Sequence, residues 1–168
     1  MPDVEDILVS NYIEAAKLAQ NAVYTAYVAV ASVAVVLLSV PQESVPLPLI
    51  GIAIRAPHAV VCLILLYLCS GVTCEFAVAR CRSIEGQLGA HGAIARALRS
   101  YPAIVQSPFF TRLIVMVLVP AGALHNTLWF LGISWLKATC FTVLCAIPLA
   151  RAAWKAGFWA EPHADGEP

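Results

Sequence analysis

Charge is scarce in this chain: Asp, Glu, Lys and Arg make up 12% of its 168 residues, against roughly 25% in a soluble domain. With 61% apolar residues and a mean hydropathy of +0.82, that scarcity excludes a soluble globular protein. Net charge is lacking too. Ten Lys and Arg balance ten Asp and Glu, so no basic excess points to nucleic acid as a direct partner. The chain does not open on the basic residues of a secretory signal but on Asp3, Glu5 and Asp6, and the N-terminal segment is expected to be retained. No CxxC pair occurs among the six cysteines, which removes the usual zinc and dithiol-redox readings. Cys62, Cys69, Cys74, Cys140 and Cys145 fall inside apolar runs, with Cys81 just beyond one, and read as buried single thiols. No nucleophile with a matched base, metal-ligand cluster or phosphate loop stands out, so neither enzymatic activity nor a cofactor is expected.

What the chain does contain is four apolar runs of the length a spanning helix needs, about 20 residues. They predict an all-α, single-domain polytopic membrane protein: a four-helix transmembrane bundle with spans at about 22–40, 56–77, 113–135 and 138–154. Pro41 stops the first run, Pro57 suits the first turn of the second, and Arg80 and Arg82 mark its end. Lys137 leaves room only for a tight turn between the third and fourth, and Arg151 and Lys155 close the last. The outer loop Pro41–Pro48 holds three prolines and reads as extended and structureless. Residues 80–112 form a longer connection with a short helix over Ala93–Arg99, preceded by Gly86, Gly89 and Gly92, which read as a flexible hinge.

Orientation follows from the basic residues, which favour the cytoplasmic side. Placing the 80–112 connection and both termini in the cytoplasm puts eight of the ten Lys and Arg inside, leaving only Arg55 and Lys137 outside. The expected setting is an inner or plasma membrane.

Before the first span, Asp3, Asp6, Ser10, Glu14, Lys17 and Asn21 recur every three or four residues and form a polar helical stripe over a 3–21 extension. Val4, Leu8, Tyr12, Ala15, Ala16 and Ala19 occupy another face. An acidic helix is repelled by anionic lipid, so the extension is expected to protrude or to pack on a partner. Asp3, Asp6 and Glu14 are complementary to Arg96 and Arg99 of the connection, and these five residues form the expected cytoplasmic interaction surface. Within the first span, Ala22, Ala26 and Ala29 allow close helix approach and suggest a homo-oligomer face.

Polar groups inside a span need a partner or a function. His125, Asn126 and Thr127 follow Pro120, which leaves the Met116 carbonyl without its helical donor. Pro148 falls at a comparable depth, and two facing kinks are expected to open a small cavity. Glu75 is expected to form an interfacial ion pair with Arg80 and Arg82. These groups read either as packing glue between helices or as the lining of a polar route. His58 and His125 raise bis-imidazole haem ligation, but their depths differ by roughly 10 Å at helical rise. The tryptophans Trp129, Trp135, Trp154 and Trp159, with Phe158, read as interfacial anchors.

The leading functional reading is an oligomeric membrane protein acting by assembly, as a sensor, scaffold or membrane-perturbing effector with membrane lipid around it and a separate cytoplasmic protein as partner. A small oligomeric channel or transporter is the alternative, and a haem- or quinone-bearing anchor subunit of a redox complex a further one. The basic bias predicts that reporter fusions after Gly89 and after Pro168 both report cytoplasm; an external signal from either would overturn the topology.

Overall fold

The computed structural model describes residues 4–38, 45–46, 53–54, 56–89, 93–99 and 103–157. The first helix, α1 (Val4–Leu38), is uninterrupted because no proline or glycine occurs in its 35 residues. At 1.5 Å per residue it is about 52 Å long, well beyond a hydrocarbon core of about 30 Å. Helix α2 (Ala56–Gln87) is of similar length, with 32 residues. It passes straight through Ala77, Arg80 and Arg82, ten residues beyond the end that the two arginines suggest. Gly86 is helical. Gly89, with φ +78°, lies just past the end of α2, so these two glycines serve the helix and its exit rather than a hinge within the connection. Before α2, β1 (Val45–Pro46) pairs antiparallel with β2 (Ala53–Ile54), so the proline-rich loop carries a short ladder where none is expected.

Helices α1 and α2 pack on each other along nearly their whole length. The buried side of α1 runs through Tyr12, Ala16, Ala19, Val23, Ala26, Val30 and Val33, and that of α2 through Ser70, Cys74, Ala77, Cys81 and Ile84. Steps alternating between three and four residues are the pattern of a coiled-coil seam. Small residues dominate it on α1. Ala22, Ala26 and Ala29 are therefore buried inside the single chain, at 6%, 0% and 0% exposure, and do not form an available face for another copy. Arg80 lies off the α2 seam and is exposed, which is how the helix continues past it.

After α3 (Ala93–Arg99) and a 3-10 turn at Ile104–Gln106, the third spanning helix is a rod from Phe109 to Phe130. It comprises α4 (Phe109–Leu113), a π-helical segment at Ile114–Leu118 and α5 (Val119–Phe130). In the π register Val119 N–H donates to the Ile114 carbonyl. The next donor in that register would be residue 120, a proline, which has no N–H to offer Val115. Tyr27 of α1 donates its hydroxyl to the Val115 carbonyl instead, at 2.5 Å. In that register the proline's missing donor falls opposite Val115 rather than the expected Met116, because the helix widens before it.

The rod ends at Phe130, five residues before the expected boundary. Gly132, at φ +80°, and the bonds Gly132 N–H to Trp129 O and Ile133 N–H to Leu128 O form a Schellman-type stop. Trp135 and Lys137 consequently belong to α6 (Trp135–Gly157). Helix α6 lies against α2 through Gly71, where a Cβ would come within 2.8 Å of the Pro148 ring. Pro148 thus meets a glycine of α2.

Among the described residues, four helices are long and apolar enough to cross a membrane, yet only 28–39% of the residues in their most apolar windows are buried. Exposed Val61, Leu65, Val72, Val143 and Leu144 therefore need an apolar solvent, and the chain is a multi-pass membrane protein. Cys62, Cys69 and Cys140 share this outer surface, whereas Cys74, Cys81 and Cys145 are buried. An apolar run does not by itself say which face a thiol occupies.

Because the alanine face is an internal seam, Ala26→Leu with Ala29→Leu should overpack it. Thermal unfolding in detergent should show destabilisation by about 1–3 kcal/mol per site. Unchanged stability would place the face outside the α1–α2 contact.

Candidate functional site

Beyond the hydrocarbon length, the ends of α1 and α2 form a second small core with α3. Tyr12, Ala15 and Ala16 meet Cys81, Ile84 and Leu98, with Leu8, Val9, Ile13 and Leu88 around them. We refer to this as the capped end. The N-terminal extension therefore packs within its own chain.

A polar node is built into that core. Tyr12 donates to Glu85 Oε1 at 2.9 Å and accepts from Gln106 Nε2 at 2.7 Å. The same Gln106 amide nitrogen donates to the Leu98 carbonyl at 3.0 Å. Both Gln106 N–H groups are thus engaged, tying the 3-10 turn to α1 and α3. Cys81 adds a long thiol contact to the Tyr12 carbonyl. Glu85 is only 5% exposed. A carboxylate at that depth needs such donors, since leaving it unsatisfied is costly. Sequence reasoning missed this node. The signal was the α2 seam, whose three- and four-residue steps continue through Cys81 and Ile84.

An ion triad lies about 15 Å back along α2, at helical rise. Glu75 Oε1 accepts from Lys155 at 2.5 Å and meets Arg151 at 3.1 Å. The expected partners on α2 do not take that role for geometric reasons. Arg80 is rotated about 140° from Glu75, and Arg82, though on its face, is two turns or about 10 Å away. Close packing at Gly71 brings the end of α6 alongside instead. Arg112, on the last turn of α4, is fully buried at the same end.

Of the polar run His125, Asn126 and Thr127, His125 alone bonds another helix among the described residues. Its Nε2 lies 3.1 Å from Thr139 Oγ1, and Thr139 gives its only hydroxyl proton to the Trp135 carbonyl. A proton on Nε2 lets His125 donate to Thr139 while Thr139 donates to the Trp135 carbonyl. Its ring also meets Trp135 edge-on. Thr127 bonds back to the Ala123 carbonyl, and Asn126 is exposed. His58 is exposed at the start of α2. Tyr67 Oη and Thr142 Oγ1 are buried without a hydrogen-bond partner among the described residues, polar atoms that the sequence reading did not single out.

On the expected interaction surface, Asp6 and Glu14 are exposed. Asp3 and the side chains of Arg96 and Arg99 lie outside the described residues. Among the described residues, no three His, Cys, Asp or Glu side chains form a metal-binding group. An open groove beside the triad runs along α6, past Ile147, Ala150, Arg151, Trp154 and Lys155.

Tyr12→Phe removes both hydroxyl bonds of the node while keeping the ring in the cap core. It should cost about 1–3 kcal/mol of stability and raise amide exchange in α3 and the 3-10 turn relative to the spans. Uniform exchange along the chain would show that the node does not hold the cap.

Comparison with protein-family models, curated proteins and solved structures finds no match, so the functional reading rests on these side chains and the helices that hold them.

Proposed function

We propose that this four-span protein is a non-enzymatic membrane scaffold that acts by assembly of copies and presents its capped end to a separate cytoplasmic protein. The observation that carries this reading is the contrast between the two parts of the α1–α2 pair. Between the spans the seam is filled by Ala and Val side chains of α1 and by Leu63, Tyr67, Ser70, Cys74 and Ala77 of α2, which leaves little room for a water path in one copy. At the capped end four elements converge on one polar node, and Asp6, Glu14 and Lys17 remain exposed on the outer side of α1. A surface held this firmly suits recognition.

Assembly is supported by Asn126, which is exposed on α5 and makes no hydrogen bond among the described residues. An amide turned towards lipid gains from a partner helix. Native mass measurement in lipid nanodiscs should give more than one copy per particle. Asn126→Leu should weaken the assembly by about 1 kcal/mol, roughly fivefold in dissociation constant. A single copy per particle for the unaltered protein rejects the reading.

A further inference from the structure

The last turns of α6 carry a face that the scaffold reading does not use. Ile147, Ala150, Arg151, Trp154 and Lys155 line an open groove of about 340 Å³. Their spacing of three, one, three and one residues places them on one side of the helix. Since α6 is a spanning helix that ends at Gly157, this side crosses from hydrocarbon at Ile147 to the headgroup boundary at Lys155. Trp154 is 59% exposed and meets Phe109 edge-on across the gap to α4. Exposed indoles favour that boundary.

The charges decide what fits there. Two cations share a single carboxylate, and both reach the same oxygen of Glu75. The triad therefore carries a net single positive charge. Arg151 touches Glu75 through one nitrogen only, and its side chain is 62% exposed against 17% for Glu75. The carboxylate thus sits behind the guanidinium, whose remaining N–H groups suit the paired oxygens of a phosphate. One phosphodiester would bring the site to neutrality.

We propose that this groove binds an anionic phospholipid, its phosphate on Arg151 and Lys155 and the start of an acyl chain along Trp154, Ala150 and Ile147. A soluble phosphate satisfies the charge but leaves the apolar part of the groove uncovered, so the lipid is the better match. The site is complete within one copy and is independent of whether copies assemble.

Native mass spectrometry of the full chain, titrated with phosphatidylglycerol and phosphatidylcholine of the same acyl chains, tests this directly. The unaltered protein should retain phosphatidylglycerol preferentially. Arg151→Gln, which leaves the Lys155–Glu75 pair in place, should lower that retention by about fivefold without changing retention of phosphatidylcholine. Glu75→Gln should raise it by releasing both cations. Should Arg151→Gln fail to fold, Trp154→Ala keeps the triad and should also reduce retention. Equal retention of the two lipids by the unaltered protein, an unchanged preference in folded Arg151→Gln, or unchanged retention in folded Trp154→Ala overturns the proposal. Displacement of the lipid by millimolar inorganic phosphate overturns the lipid assignment in favour of a free anion.

Discussion

The antiparallel contact between α1 and α2 is the constraint on which the rest of the molecule depends. It runs from Tyr12 and Glu85 at the capped end to Val36 and Ala59 at the other, in two helices both longer than a bilayer is thick. Because the seam on α1 consists of alanine and valine beyond Tyr12, the backbones can approach closely and gain dispersion contacts along many turns. The same seam serves two solvents. Within the bilayer, lipid tails are as apolar as the side chains and packing alone favours contact; beyond it, burial from water adds a hydrophobic driving force. One continuous helix pair therefore anchors both the bundle and the cap.

Both remaining spans are seated on this pair through local departures from ideal helix. Pro120 cannot supply a donor, the preceding turns widen into a π segment, and Tyr27 reaches from α1 to the Val115 carbonyl. An unsatisfied carbonyl in a span is costly, so the defect becomes a contact between α1 and the third helix. Gly71 does the same for α6 by removing a side chain where Pro148 approaches. That approach aligns the end of α6 with Glu75 and so assembles the ion triad. A Cβ at position 71 would meet the Pro148 ring and keep α6 from this approach.

The polar groups are sorted by this arrangement. Tyr12, Glu85 and Gln106 are turned inwards and hold the cap together, whereas Asp6 and Glu14 stay on its outer surface. His125 is tied to Thr139, while its neighbours Asn126 and Thr127 face elsewhere. Three consecutive residues on a helix point about 100° apart, so a polar run in sequence is not a polar cluster in space.

The sequence by itself determined the solvent and the number of crossings. Four long apolar runs with little charge admit only spanning helices, since hydrocarbon offers no partner for an open backbone. It also contained the stop of the third helix, in Gly132 followed by Ser134, although Lys137 is the more conspicuous boundary mark. Tertiary structure alone decided which face meets which helix. The alanine stripe of α1 is equally suited to a copy of itself or to α2, because small residues favour any close approach. Glu75 has basic residues near it in sequence, yet its partners come from eighty residues away. A helix separates sequence neighbours by rotation and rise, and only packing against another helix brings charges within reach. Glu85 became the centre of a node for the same reason: its chemistry is local, but its burial and its donors come from α1 and the turn at Gln106.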